Sequence, residues 1–358
     1  MKFYQFLIRR LFLMIFTLFG LSAILFVLTH AAGNSIILAP YLAGAKTPAQ
    51  KATITAHMTQ VLHLNQPEYI QFIYYLSNLL HGNLGYTQTT IYSGTVISAI
   101  EIFFPNTIML AVASVVISVP IGLYLGKLSG VRKDGTIDQT SRVLTFIGIA
   151  MPAFMAAEIL ILLFGTTIIL PKAILPSYTG TFNATLASGV PWIQNGVTNP
   201  THIPLIDALI HGNMPIFWSA LRHLVMPVAT LVVGLVAVVQ RFMRTSLVEV
   251  LNLDYIKTAR SKGISESGVI NTHAMRNSLL PIVTVVGIML ISLLGGVVIV
   301  ETIFNYLGLG YWLVTAALEF DIGGIIGGAL MFGIMLILGN FIIDILYTVI
   351  DPRIKLGD

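Results

Sequence analysis

Runs of apolar residues recur along the chain, and polar side chains collect in the stretches between them. Six runs, at approximately 11–29, 106–126, 143–164, 224–240, 279–300 and 323–346, approach or exceed the roughly 20 residues a helix needs to cross a hydrocarbon core of about 30 Å. They are unbroken, as in TLVVGLVAVV at 230–239, whereas the strands of a membrane barrel alternate apolar and polar positions. The pattern predicts an all-α polytopic membrane protein with six transmembrane helices. The first run, with Arg9 and Arg10 before it and Ala31 and Ala32 after it, has the flanks of a secretory signal. It is longer than the 7–15 apolar residues of such a signal, so it is expected to stay as an anchor.

Composition sharpens this. Of 358 residues, 56% are apolar and 9% charged, against about 25% charged in soluble domains. That excludes a soluble enzyme, and disorder requires the opposite balance. The absence of cysteine removes disulfides, thiolate metal sites and cysteine nucleophiles. The formal charge of +4 is the excess of 19 Lys and Arg residues over 15 Asp and Glu, and the basic residues are scattered and form no stripe for nucleic acid. They mark topology instead, because cytoplasmic loops are enriched in Lys and Arg. Only Lys46, Lys51, Lys172 and Arg222 fall in one set of loops. The other fifteen fall in the opposite set, among them Lys2, Arg353 and Lys355 at the ends of the chain. Both termini are therefore expected in the cytoplasm, with 127–142 and 241–278 beside them and 30–105, 165–223 and 301–322 outside. The chain then divides into an N-terminal anchor, 1–29, an external segment with a surface helix, 30–105, and a core, 106–358, carrying the cytoplasmic loop 241–278.

Charge inside hydrocarbon is costly, so deep ionisable groups are candidates for function. Glu158, midway along the third run, is either a carboxyl held between helices or a group lining a solute path. Asp344, near the cytoplasmic end of the sixth, suits a contact with headgroups or a nearby basic residue. None of the eight His residues lies in the middle of a run, so facing pairs for haem or a proton relay are missing. Gly122/Gly126, Gly323/Gly327 and Gly324/Gly328 form GxxxG patterns, which let helices approach closely. GLYLGKLS at 122–129 fails as a phosphate loop in spacing and context, and no HExxH or G-x-S-x-G is present. Asn183-Ala184-Thr185 is a glycosylation sequon on an external loop.

The loop 241–278 reads as structure. Asp254 suits a helix N-cap and Gly263 the C′ position, with Lys257, Arg260 and Lys262 where the helix dipole favours cations. That predicts a helix over 255–262 with a narrow apolar side of Tyr255, Ile256 and Ala259. Ser265 can cap a second helix running towards Asn277, and Pro281 falls in the first turn of the fifth span.

DYIKTARSKGISESGVINTHAMRNSLLPIVT, residues 254–284, resembles the cytoplasmic signature of ABC importer permeases in the version typical of the dipeptide/oligopeptide (peptide/nickel) group. LNQPEYIQFIYYLSNLLHGNLGYT at 64–87 resembles the external segment of that group's B-type permease. PNTIMLAVASVVISVPIGLYLG, MPAF at 151–154, LP at 175–176, VETIFNYLGLGYWLVTAAL at 300–318 and DPR at 351–353 fall in the expected order. The resemblance covers nearly the whole chain and implies a type I ABC importer-like permease in the cell membrane of a bacterium or archaeon. It implies that Asp254, Tyr255, Ile256, Lys257, Thr258, Ala259, Arg260, Ser261, Lys262 and Gly263 form a coupling helix and its turn, inserted into a groove of an ATPase subunit.

The implied partners are a homologous C-type permease, two ABC ATPase subunits and an extracellular solute-binding protein, around a lipid bilayer and without nucleic acid. No cofactor is expected in this chain, since ATP and Mg²⁺ would sit on the ATPases, and the chain itself is not an enzyme. Pro67 opens a helix whose Tyr69, Ile73, Leu76 and Leu80 make an apolar face suited to the membrane surface. Three positions depart from the family: Asn83 stands for its usual Asp, Asp321 lacks the usual Tyr-Pro after it, and Glu158 is unexpected. Glu158 and Asp321 are thus candidates for lining the translocation path or touching a partner. Peptides are the expected solute, with oligosaccharides or nickel as alternatives in the same importer class. A stand-alone secondary transporter would show internal repeats, interrupted helices at mid-membrane and a charged relay.

Overall fold

The computed structural model describes residues 3–31, 33–42, 44–169, 173–176 and 180–350. Lys2, Lys172, Arg353, Lys355 and the DPR at 351–353 lie outside them. In chain order the elements are α1 (Phe3–Ala31), α2 (Asn34–Leu42), α3 (Pro48–Val61), α4 (Glu68–Leu80), β1 (Tyr86–Gln88), β2 (Ser93–Thr95), α5 (Val96–Val131), α6 (Thr136–Ala150) and α7 (Ala153–Leu160), which continues as a π turn at Ile161–Gly165. The ribbon β3 (Ile193–Gln194) and β4 (Val197–Thr198) follows, then α8 (Pro204–Ile210), α9 (Met214–Leu251) and α10 (Asp254–Ser261). A helical stretch made of α11 (Glu266–Gly268), a π turn at Val269–Ala274 and α12 (Met275–Ser278) leads to α13 (Leu280–Ile303), α14 (Leu309–Leu318) and α15 (Ile322–Ile350). Two short antiparallel ribbons are the only strands among the described residues.

The protein is a multi-pass helical membrane protein. Helices α1, α5, α9 and α15 are long and apolar enough to cross a bilayer, and the crossings number six if each of two bent pairs is one span. The first bent pair, α6 with α7 and its π turn, turns through 105°. Met151 is extended, with φ −76° and ψ 117°, as the residue before a proline prefers, and Pro152 brings no N–H to continue α6. The third apolar run is thus interrupted, a feature the sequence pattern did not reveal. Helix α5 starts at Val96 and α9 at Met214, so both reach well past the apolar runs that predict them.

Glycines set how closely the long helices approach. A Cβ on Gly122 would lie 2.6 Å from Val239 Cβ and one on Gly126 2.6 Å from Met243 Cβ, with Gly130 continuing the stripe against Leu247. The stripe lets α5 and α9 pack backbone to side chain, the arrangement small residues permit in lipid. On α15 a Cβ at Gly327 would collide with Val96, and one at Gly323 with the Tyr86 carbonyl. These two positions admit α5 and the β1–β2 ribbon. The middle of the bundle buries Leu110, Ala157, Ile161, Leu231 and Val297. A second cluster at the Lys/Arg-rich end joins Val239, Met243, Leu247 and Ile256 to Val269, Ile282 and Val285.

At the opposite end α4 lies against α1. Phe72 meets Phe19 and Phe26 with ring centroids 5.7 and 5.1 Å away, and buried Gln71 meets the His30 ring at 2.8 Å. Tyr69, Ile73 and Leu80 on the other side of α4 are exposed, so that apolar face is left uncovered by the chain. Asp344 pairs with Arg10 of α1 at 2.7 Å, one of the two contacts its position suggests.

Candidate functional site

Helix α10 projects from the Lys/Arg-rich end. It begins one residue earlier than the sequence suggests, because Leu253 occupies the N-cap position without a side-chain bond and Asp254 is already helical. The Asp254 carboxylate instead accepts from Lys257 Nζ at 2.9 Å. The stop is as expected: Gly263 has φ +77°, its N–H donates to Arg260 O at 3.0 Å and the next N–H, of Ile264, to Ala259 O at 3.4 Å. This is the paired bonding of a Schellman end, which needs a left-handed residue at C′. Nothing lies near a Cβ built on Gly263, so the glycine answers the backbone and not a neighbour.

Two side chains peg the helix. Ile256 is 0% and Ala259 6% exposed, one turn apart on a single face, and they complete the cluster shared by α9 and α13. Asp254, Tyr255, Lys257, Thr258, Arg260, Ser261, Lys262 and Gly263 are exposed. The ten residues of the expected coupling element therefore lie together as a polar, mostly basic knob on a small apolar foot.

Further bonds fix its orientation. The Tyr255 hydroxyl accepts from Asn277 Nδ2 at 2.7 Å and donates to His273 O at 3.4 Å. Arg260 donates from Nε and Nη2 to the two oxygens of Glu266 at 3.1 and 2.7 Å. That guanidinium holds the Glu266 carboxyl below its usual value and is itself raised. Ser265 caps the next helix as expected, accepting from Gly268 N at 3.3 Å. Ser246 of α9 donates to Ser278 O at 3.0 Å, and Lys127 of α5 to Asn271 Oδ1 at 2.6 Å. The knob is thereby joined to α9, to the 266–278 stretch and to the foot of α13.

Two buried carboxylates brace the helices that hold the knob, and neither was picked out from the sequence. Asp138 at the start of α6 is 0% exposed. It accepts from Arg244 Nε and Nη2 of α9 at 2.5 and 2.6 Å, from Ser129 Oγ of α5 at 2.5 Å and from Asp134 N at 3.0 Å. Glu301, also 0% exposed, lies near the far end of α13. Its Oε1 accepts from Thr107 Oγ1 of α5 at 2.6 Å, and its Oε2 from Gly310 N and Tyr311 N at 2.7 and 3.0 Å. Helix α14 has Gly308 at its N-cap, so Glu301 supplies from another helix the acceptor that a capping side chain would give. A Cβ at Gly308 would collide with that carboxylate. The available signal was a Glu at the end of an apolar run followed by Gly308 and Gly310, but residues 301–322 read as an external loop.

The remaining two candidates lie elsewhere. Glu158 is exposed on α7, beside the exposed apolar side chains Phe154, Met155 and Leu162. Asp321 is 5% exposed and is engaged within the chain: Oδ2 accepts from Thr87 Oγ1 and from Gln88 N, the latter at 3.0 Å. With Glu319, which accepts from Thr90 N and Oγ1 at 2.9 and 2.6 Å, it fastens the β1–β2 ribbon to the α14–α15 corner.

Residues 118–356 match the family of binding-protein-dependent transport system inner membrane components. The chain is 34% identical over 362 residues to a protein of Escherichia coli K12 named "Probable D,D-dipeptide transport system permease protein DdpB", covering 100% of this chain and 99% of that one. It is 33% identical to the "Dipeptide transport system permease protein DppB" of the same strain, covering 98% of each. It is 30% identical to the "Oligopeptide transport system permease protein AppB" of Bacillus subtilis 168, covering 98% of this chain and 99% of that one.

Proposed function

We propose that this chain, which belongs to the family of binding-protein-dependent transport system inner membrane components, is the permease subunit of an ATP-driven importer of di- and oligopeptides. In this reading it forms the path together with a homologous C-type permease, takes solute from an extracellular binding protein, and is driven by two ABC ATPase subunits. The observation that carries the reading is α10, a helix exposed on its polar face and anchored by Ile256 and Ala259 between α9 and α13. Full-length likeness to three peptide permeases supports the solute class.

The mechanics follow from the connections. An ATPase that closes on ATP displaces the exposed side of α10. The Ile256 and Ala259 foot, the Arg260–Glu266 pair and the Tyr255–Asn277 bond pass that displacement to the 266–278 stretch, which runs directly into α13. Helix α9 moves with it, because α10 follows α9 after Asn252 and Leu253. Through the glycine stripe and the Asp138–Arg244 clamp, α9 carries α5 and α6. At the far end Glu301 couples α13 to α5 and α14, so the external corner responds to a push on the basic end. Burial and hydrogen bonding at each junction let displacement travel as rigid motion between packed arrangements.

The test uses the absence of cysteine. Thr258→Cys carries the only thiol, and a bifunctional reagent should join it to an ATPase chain in membranes expressing the whole importer. Ala259→Arg places a charge in the foot, and it should abolish ATP-dependent uptake of a labelled dipeptide while the chain remains inserted. Uptake at the normal rate by Ala259→Arg, or a Thr258→Cys chain that never joins another polypeptide, would remove the basis for the reading.

A further inference from the structure

The end of the bundle opposite the knob holds a partly open cavity of about 150 Å³. Its walls come from α1, α2, the end of α3 and the turn after it, α4, the segment around β1 and the start of α15, and include Phe26, Tyr41, Tyr75, Leu79, Tyr86 and Ile326. None of the residues lining it is Asp, Glu, Lys or Arg. The Tyr75 hydroxyl is buried there without a hydrogen-bond partner among the described residues, a costly state for a polar group. Burial pushes this phenol up to about 12, so it keeps its proton and is free to donate.

We infer that the cavity holds one acyl chain of an outer-leaflet phospholipid, with the lipid's ester carbonyl accepting the Tyr75 hydroxyl proton. Position is the first reason. Phe26 lies in the last turns of α1 and Ile326 in the first turns of α15, so the cavity straddles the boundary where two spans leave the hydrocarbon. The Lys/Arg distribution puts that boundary on the outer side. The second reason is α4, which forms one wall and carries the uncovered Tyr69, Ile73 and Leu80 on its other face, 69%, 61% and 87% exposed. A helix with an apolar face at this level lies in the interface, and tyrosines concentrate at the same depth.

The third reason is the chemistry of the walls. Polar side chains, among them His30, Gln71, Asn78 and Asn83, share the walls with the apolar ones, but none carries a fixed charge, and a cavity of about 150 Å³ accepts a benzene-sized guest, the bulk of several methylenes. A peptide brought there would bury its charged termini with no opposite charge to meet them, and that is costly. Hydrocarbon ending in a neutral acceptor satisfies both the walls and the single stranded hydroxyl.

The test needs neither ATPases nor uptake, so its outcome is separate from that of the importer reading. The full chain is placed in phosphatidylcholine nanodiscs containing a phosphatidylcholine with a diazirine in its acyl chain, photolysed, and the adducts mapped. Adducts are expected on 74–86 and 322–326 as well as on the lipid-facing Phe12, Ile15 and Phe16 of α1. Tyr75→Phe should lower the cavity adducts about fivefold, the loss expected for one neutral hydrogen bond. Leu79→Trp, which fills the cavity, should abolish them, and both variants should leave the α1 adducts unchanged. Adducts confined to α1, cavity adducts indifferent to Leu79→Trp, or cavity adducts displaced by excess apolar tripeptide would each overturn the inference.

Discussion

Glu301→Ala strips three donors of their acceptor at a site with no exposed surface. The N–H groups of Gly310 and Tyr311 lose Oε2, and the Thr107 hydroxyl, which also accepts from Leu309 N at 2.7 Å, loses Oε1. Thr107 can turn its proton to another oxygen, so it adds little. Each stranded N–H costs about 1–3 kcal/mol, giving about 2–6 kcal/mol in all. For a chain of 358 residues each kcal/mol moves the midpoint by about 1.3 °C, so the thermal midpoint should fall by about 3–8 °C. Glu301→Gln separates geometry from charge. Its amide oxygen can take the two N–H groups while its Nε2 donates to Thr107 Oγ1, so the loss should stay below about 1.5 kcal/mol.

The measurement is fluorescence-detected size exclusion of detergent-solubilised protein after heating at a fixed rate, which ranks midpoints even where unfolding is irreversible. Transport should follow the same order, with Glu301→Gln close to the parent and Glu301→Ala impaired, because the tie between α13, α5 and α14 is what is lost. Equal midpoints for Glu301→Ala and the parent would refute the capping argument. A Glu301→Gln protein as unstable as Glu301→Ala would show instead that the negative charge is required.

Arg244→Ala leaves the Asp138 carboxylate, 0% exposed, without its cation, and should cost about 3–5 kcal/mol in the same heating assay. The double change Asp138→Leu with Arg244→Met should lose much less, since it removes the buried charge as well as the pair. Gly126→Leu forces a side chain where Met243 Cβ would lie 2.6 Å from the new Cβ, and should destabilise by about 1–3 kcal/mol or more; unchanged stability would mean α5 and α9 pack less closely than described. The Arg260–Glu266 pair should loosen in acid. The Glu266 carboxyl lies lower in the folded protein than its ordinary 4.5, so the stabilisation is present above that value and fades as pH falls through the lower folded one. A spin label on Thr258→Cys should gain mobility over that range, and Glu266→Gln should show the higher mobility already at neutral pH.

Much of this protein is written locally. The apolar runs announce a multi-pass helical protein because crossing a bilayer depends on length and composition alone, and the family is legible in the stretches 64–87 and 254–284. Helix α10 is legible for a similar reason: Gly263 at positive φ and the spacing of Ile256 and Ala259 are signals contained within ten residues. Even its errors are small: the helix runs over Asp254–Ser261, one position earlier than 255–262, and Tyr255 is exposed where Ile256 and Ala259 are buried.

What composition and spacing leave open is which distant groups meet. Asp138 finds Arg244, Glu301 finds Thr107 and Gly310, and Asp321 finds Thr87, and in no case do the neighbouring residues in the chain name the partner. A buried carboxylate must be satisfied by donors, but those donors are chosen by how α5, α9, α13 and α14 stack, and that stacking depends on glycine stripes facing particular side chains. The 105° turn at Met151–Pro152 belongs to the same class: a proline permits a break, and only the packing on either side decides that the helix takes it. The sequence by itself determined that several segments are long and apolar enough to cross a bilayer and where along the chain the knob falls, through rules that act over one helical turn or one bilayer thickness. The tertiary structure decided which helices are tied to the knob and to one another, because that depends on pairings between residues far apart in the chain.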